Sequence, residues 1–516
     1  MLTRTEPHFV DGGFRRLVNN GVLYTDAHYQ HANTETIVGH TTLATGTYPS
    51  EHGMTGNVWF DRETGELGYN IEDLASPLLP SRERAVVGEQ VDPAQQMART
   101  QGRSPKNILA ETISDRIAAA SGGKAKIFGV SGKDRGAVAL AGHAGTAYWI
   151  SSDSGDFVTT SYYRQAYPGW VAAWNAERRV EGMGGRQWQL ADSRETYRFA
   201  DQDDRSYETD LGGFGRVFPH SYAPTGHKLL PTQVIASPAG DAITADFAMT
   251  LLVDEQLGID AITDYLSVSF SGVDATSHFF GPASLESEDM LRQLDRTIGQ
   301  LLQHIDDQVG LDHTLVVLSA DHGMPELPEY KSSLGIDAGR LNTDDVIAMA
   351  NGLGQSLFDV GNIVRMYYRP YIYVDRDSLR AAALVPDEVI ADLAAALTEQ
   401  RGIALAVNRN AIEGNQTTDL GRQIQRTYHP TRAGDIYVVP DAYWFNFDKG
   451  PIAGMHGSPW RYDTHVPIVF SGPGISADRI HRRVHPVDVA PTIAAVLGIS
   501  PPAASRGEVL IEVVNR

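Results

Sequence analysis

Three clusters of imidazole and carboxylate residues, far apart in the chain, carry the strongest chemical signal. Asp321 and His322 close the run HTLVVLSADHG (313–323), a strand-like apolar stretch that stops on two adjacent metal-capable side chains. Asp274 and His278 stand four residues apart in SGVDATSHFFGP, directly after a second such run. A turn of helix following the strand lets both face one point. His456 lies in GMHGSPWRYDTHVPI, where Gly454 and Gly457 leave the backbone room to approach a ligand closely. Taken singly, each also suits an ordinary role as a cap or a surface polar group. Taken together, each at a strand end or in a Gly-rich loop before a strand, they point to a metal centre. The chain has no cysteine, so any metal must be held by His, Asp and Glu. Imidazole and carboxylate, with water or substrate completing the shell, form the donor set of a catalytic zinc.

A second group of residues suits an anion. Thr36, in NTETIVGHTTLATGTY (33–48), precedes a short apolar helix pattern. At a helix N-terminus, backbone N–H groups and the dipole favour phosphate; an ordinary N-cap is the competing role. Lys133 and Arg135 follow the apolar run AKIFGVSG (125–132) and place two cations two residues apart. If extended, they point the same way, as a phosphate clamp or as a solvated charged loop.

These residues need a scaffold. The runs 125–132, 264–274, 313–323 and 465–474 are β-branched and apolar and end in Gly, Ser or Asp, as buried strands do. Helical patterns alternate with them. Leu291, Leu294, Ile298, Leu301, Leu302 and Ile305 share one face, and 491–498 has an early Pro and a closing Gly. The alternation predicts an α/β fold with a largely parallel sheet, whose ligands bind at the carboxyl ends of strands. Two stretches break the rhythm and read as insertions. Residues 148–235 are rich in Tyr and Trp, which suits packing better than a binding platform, and 345–435 carry a strand–helix unit. The core then comprises 1–147, 236–344 and 436–516. At 516 residues with 42% hydrophobic content the chain can bury a large core, and no apolar run is long enough for a membrane span. A net charge of −21 argues against nucleic acid as a partner but not against small anions.

The sequences TETIVGHTTLATGTYPSEHG, DHG after a strand, DxxxH and HGSPW…YDTHVPI together resemble the alkaline phosphatase superfamily. The resemblance is to its zinc-dependent phosphate monoesterases with a threonine nucleophile and a Lys-x-Arg pair. It extends from residue 1 over essentially the whole chain, with the motifs in the family's order. It implies a three-layer sandwich with a mostly parallel central sheet, helices on both faces and two insertions. Thr36 then matches the nucleophile and a metal ligand, and Asn57, in HGMTGNVWFD, an amide donor to the phosphoryl group. Lys133 and Arg135 match the cations that contact that group. Asp274, His278 and His456 match one zinc site; Asp321 and His322 match the other. The implied reaction is hydrolysis of small-molecule phosphate monoesters through a phosphothreonine, by a periplasmic or secreted enzyme; the sequence leaves the oligomeric state open, with a monomer slightly favoured.

This sequence departs from the pattern at one point. The resemblance implies a further Asp ligand, at the end of a first core strand ahead of the nucleophile. Met1–Val10 holds no apolar run ending in Asp, Asp11 and Asp26 are not assigned as ligands, and MLTRTEPHF has no signal-peptide core. The expectation is that this strand precedes Met1 in a longer natural chain; the alternative is a truncated protein with an incomplete second zinc site. Rival functions are a nucleotide-pyrophosphatase-type phosphodiesterase, against which Lys133-x-Arg135 speaks, a phosphomutase, and a metal-binding protein without turnover.

Overall fold

A computed structural model describes residues 2–62, 64–80, 88–447 and 452–514; Met1 and small parts of the first and last core segments lie outside them. The elements that frame the site are, in chain order, β1 (Gly21–His28), α1 (Thr36–Thr45), β2 (Ile127–Ser131), α2 (Asp134–Ala141), β3 (Thr146–Ile150) and β4 (Phe157–Val158). They continue with α3 (Pro238–Asp254), β5 (Tyr265–Ser269), α4 (Gly272–Phe280), α5 (Leu285–Gln308), β6 (Val316–Leu318) and α6 (Thr343–Phe358). The remainder are β7 (Val364–Tyr368), β8 (Tyr371–Val374), α7 (Pro386–Thr398), β9 (Ile403–Asn408), β10 (Ile436–Pro440), β11 (His465–Ser471), β12 (Asp478–Val484) and α8 (Val489–Leu497).

The four apolar runs all form strands, and the helices fall where the periodicity puts them. In α5 the Ser284 side chain accepts from Ser287 N–H to cap the first turn, and Leu291, Leu294, Ile298, Leu301 and Leu302 form the buried stripe. The helix α8 closes on Gly498 at φ 66°, a left-handed conformation that glycine adopts without strain. The fold is α/β, with a mixed sheet. Strands run in the order β4-β3-β2-β5, parallel from β3 to β5, and in a second set β6-β11-β1-β12. There β11 runs antiparallel to both β6 and β1. The strand β1 is one the sequence hides: in GVLYTDAH only Val22, Tyr24 and Ala27 among its apolar residues are fully buried. It sits between β11 and β12, and its Asp26 groups with His28 and His465 rather than with Asp321 and His322.

Between β5 and β6 the two sets part. Each is the last strand of its sheet, and among the described residues neither pairs on its other side. A cleft of about 1830 Å³ separates them, walled by Leu266, Val268, Val316 and Leu318 and floored by Leu294 and Ile298 of α5. Backbone N–H groups of β5 and β6 that face it are expected to exchange with solvent faster than those of β2 and β11, a difference that amide hydrogen exchange resolves strand by strand.

The two stretches that break the sequence rhythm are packed, not splayed. From the aromatic one, Phe157 stacks on Phe247 of α3 at 3.9 Å and Trp174 meets the same ring edge-on. Trp188 Nε1 and Tyr197 Oη both donate to Asp289 of α5, and Arg292 lies 3.8 Å over the Tyr197 ring. The later insertion builds an antiparallel sheet β7-β8-β10-β9, which takes β10 from beyond residue 435. Among the described residues no helix is long and apolar enough to cross a membrane.

One buried carboxyl in the aromatic insertion is left bare. Both oxygens of Glu208 lack a partner among the described residues, and burial, with Glu286 nearby, pushes its pKa up to about 9 from 4.5. The folded protein therefore keeps a proton that the unfolded chain releases, and stability falls as pH rises through that window. The slope is at most about 1.4 kcal/mol per pH unit. Glu208→Gln is expected to flatten the dependence, so calorimetry at pH 8 shows a Tm a few degrees above the parent while the two coincide near pH 4.5.

Candidate active site

The carboxyl ends of β5 and β6 bring Asp274 and Asp321 toward each other. Asp274 lies in the first turn of α4, one turn before His278, as the four-residue spacing requires. Asp274, His278 and His456 place their ligating atoms within 4.8 Å of one another. Asp274 Oδ1 stands 3.3 Å from His278 Nε2, 3.6 Å from His456 Nε2 and 3.9 Å from His322 Nε2. His322 Nε2 is also 3.2 Å from Asp321 Oδ2, and its ring stacks on His456 at 3.5 Å. The two expected clusters are thus one continuous group of five side chains.

The orientation of the imidazoles is set from outside. Nδ1 of His278 donates to Gly454 O at 2.8 Å, that of His456 to Thr34 O at 2.9 Å, and that of His322 to Gly323 O at 2.8 Å. A carbonyl only accepts, so every Nδ1 carries its hydrogen and every neutral ring turns the Nε2 lone pair inward, onto carboxylate oxygens. Lone pairs facing lone pairs are stable only with a cation between them, the arrangement seen when metal-bound histidines are held by outer partners. Asp274 Oδ1 and His322 Nε2 are indeed buried without a hydrogen-bond partner among the described residues. The donor set fits a borderline dication such as zinc.

Protons and Lys133 share this role. Burial opposes the Asp274 anion, yet Lys133, His278 and His322 hold its carboxyl well below the usual range; the Lys133 ammonium contacts its Oδ2 directly. Asp321 is held low in the same way, against burial, by His322 and His40. Burial also works against a charged His322, but Asp321 overrides it and pushes the ring up to about 9. His456, buried and facing His322, is pushed well below its ordinary value.

Thr36 opens α1, flanked by contacts to this cluster on both sides. Thr34 O orients His456, and His40, one turn on, lies 3.1 Å from Asp321 Oδ2. Gly39 is needed here: a Cβ would come within 1.8 Å of Asp321 O, so only glycine lets the helix lie against that strand end. Asn57 accepts from Ile37 N–H in the first turn of α1 through Oδ1 at 3.2 Å, which leaves its NH₂ as the remaining donor. Arg135 sits deeper than a clamp requires. Its guanidinium donates to Tyr69 Oη at 2.8 Å and Asp92 Oδ2 at 2.7 Å, with Nε unpartnered among the described residues. Of the unassigned acids, Asp11 is exposed and pairs with Arg15, and Asp26 belongs to a separate group with His28 and His465.

With this geometry in view, the comparisons with known proteins are decisive. Residues 8–459 match the family described as type I phosphodiesterase / nucleotide pyrophosphatase. The chain belongs to this family, within the alkaline phosphatase superfamily, and is a hydrolase. It is 31% identical to a Myroides odoratus protein described as a calcium-transporting ATPase, over 100% of this chain and 92% of that one. It is 29% identical to alkaline phosphatase PafA of Elizabethkingia meningoseptica, with the same coverage of each. A crystal structure of wild type PafA superposes with a TM-score of 0.88 at 27% identity, covering 99% of this chain and 96% of that one.

Several residues at the site gave no sequence signal. Glu35, the residue before Thr36, accepts from Asn57 N–H at 2.5 Å and from Arg369 Nε at 3.0 Å, across 334 positions. Asp463 accepts from Gly457 N–H and from the Ser458 amide and hydroxyl, shaping the turn after His456. Ser269 Oγ meets His40 Nε2 at 2.9 Å. A cap-like acid beside a threonine was the only hint available, for Glu35. Because Glu35 and Arg369 are both buried, Arg369→Ala strands a charge and is expected to cost about 3–5 kcal/mol of stability. Arg369→Lys should lose less. Chemical denaturation reads the ranking directly.

Proposed function

We propose that this chain hydrolyses phosphate monoesters, with Thr36 as nucleophile, at a zinc centre held by Asp274, His278 and His456 and by Asp321, His322 and Thr36. The observation that carries the reading is the inward convergence of three tethered imidazoles on two half-buried carboxylates, beside a helix N-terminus that bears a hydroxyl. The alkaline phosphatase named among the relatives that span the chain supports the monoester choice.

The chemistry zinc would supply there is Lewis acidity, which lowers the pKa of a bound hydroxyl or water and offsets developing charge. The chain's own residues do the rest. Thr36 Oγ attacks phosphorus in line, giving up its proton to solvent; its bond to phosphorus forms as the ester P–O bond breaks, and the leaving alkoxide takes up a proton from water. Water then attacks the phosphothreonine, releasing phosphate and restoring the hydroxyl. The Asn57 NH₂ and the Lys133 ammonium donate to non-bridging oxygens, where charge concentrates. Arg135, buried behind them, adds positive field rather than a direct fork unless it leaves Asp92. Two cations beside a dication pair favour a dianionic monoester over a monoanionic diester. The family resemblance implies a periplasmic or secreted setting.

The test compares p-nitrophenyl phosphate with its bis-ester, with zinc counted in the same preparation. The monoester should be hydrolysed faster, and Lys133→Ala should slow it by about 10²–10³-fold with a smaller loss on the diester. Thr36→Ala should abolish acid-trapped phosphothreonine in a folded chain. A faster diester rate sinks the monoesterase reading, and undiminished turnover in Thr36→Ala sinks the nucleophile.

A further inference from the structure

Away from this centre, Asp26, His28 and His465 bring their ligating atoms within 4.8 Å of one another on the face of the second sheet. The grouping is a product of register. His28 and His465 are direct partners in the antiparallel pairing of β1 with β11, and Asp26 lies two residues before His28 on β1. A period of two puts Asp26 and His28 on the same face. The imidazoles stack at 4.6 Å with only 11° between their planes, so both present an edge to the same side.

We propose that Asp26, His28 and His465 form a further zinc-type dication site that clamps β1 to β11. Two histidines and one carboxylate, with remaining positions for water, are a sufficient donor set for such an ion. The ring nitrogens are already sorted. His465 Nε2 donates to Thr25 O at 3.0 Å, so its Nδ1 keeps the lone pair. His28 Nδ1 meets the Thr464 hydroxyl at 3.1 Å, and Nε2 meets Asp26 Oδ1 at 3.0 Å. A hydroxyl both donates and accepts, so Thr464 can follow a tautomer change in His28 that frees Nε2 for a metal without releasing a proton. Burial, and then His465, push the His28 pKa down to about 4, so the ring is neutral where metals bind. Arg483 donates to Asp26 Oδ2 at 3.2 Å, which leaves Oδ1 turned toward the histidines. Arg461 reaches Oδ1 only at 3.5 Å from a largely exposed position. Two donors sharing one ion at about 2.1 Å each stand no more than about 4.2 Å apart. Closing the set therefore asks for a small rotation, available to the exposed His465.

The clamp would act on segments that matter to the hydrolase centre. The chain leaves His28 for Tyr29, whose N–H donates to Thr464 O, and reaches Thr34, whose carbonyl orients His456. On the other strand His465 follows Asp463, which shapes the turn after His456. Metal at Asp26, His28 and His465 joins these two approaches at their base.

The experiment titrates zinc into Asp274→Ala/His278→Ala/Asp321→Ala/His322→Ala, which disables both halves of the other cluster, and into the same chain carrying His465→Ala as well. Calorimetric titration and native mass spectrometry should show one zinc bound by the first and one fewer by the second, with matching circular dichroism. Zinc should raise Tm only in the first. His465→Asp, which restores a ligand, should recover the ion where His465→Ala does not. An equal zinc count with and without His465 overturns the proposal, as does an unchanged histidine side-chain NMR spectrum for His28 on saturation with zinc. Neither readout depends on which ester the enzyme hydrolyses.

Discussion

Two carboxylates, Asp274 and Asp321, stand half-buried within one group of imidazoles, and their charge must be compensated there. Removing such ions from water costs several kcal/mol each even after relaxation. The chain contributes Lys133 against Asp274 and a proton on His322 against Asp321. His278 and His40 stand beside the same two carboxylates, while His456 is pushed toward neutrality by burial. The tethered Nδ1 atoms of His278, His322 and His456 aim the opposite ring nitrogens at the place a cation would take in exchange for the proton and the ammonium.

Much of the surrounding structure follows from this constraint. The helix α1 must come close enough for His40 to reach Asp321, which only Gly39 permits. Its first turn is steadied by Asn57 through Ile37 N–H and by Glu35 through Asn57 N–H. Glu35 is neutralised by Arg369, between β7 and β8 in the later insertion. That segment is therefore tied to the loop ahead of Thr36 by a buried ion pair, and not only by apolar packing.

The sequence was legible where chemistry and periodicity coincide. Asp274, His278, Asp321 and His322 announced themselves as metal-capable residues after apolar strands, and His456 in a Gly-rich loop before one; the structure gathers all five. The four apolar runs and α5 were equally plain, because a buried strand and an amphipathic helix each impose a period on the chain. What stayed hidden depends on distance or on weak patterns. Nothing near Arg369 says that it meets Glu35 across 334 positions. The strand β1 passes unnoticed because Thr25 and Asp26 interrupt its apolar alternation. A Lys-x-Arg spacing suggested two equivalent cations, but α2 begins at Asp134, so the helical turn sends Arg135 down toward Tyr69 and Asp92 and leaves Lys133 beside Asp274. The break in the sheet is invisible to composition, since each bank of the cleft is by itself an ordinary apolar strand.

That break and the charged cluster are one problem in physical terms. Asp274 follows β5 and Asp321 follows β6, so the two carboxylates stand on opposite banks of the cleft. No backbone ladder among the described residues joins those banks; β5 and β6 each end their sheet. What spans the gap at its carboxyl end is side-chain contact: His322 from the β6 side stands 3.9 Å from Asp274 Oδ1. His40 touches Ser269 Oγ on one bank and Asp321 Oδ2 on the other. The imidazoles thus serve as the seam of a divided sheet as well as prospective ligands. A cation held between Asp274, His322 and Asp321 would tighten that seam by electrostatic attraction in a low-dielectric setting.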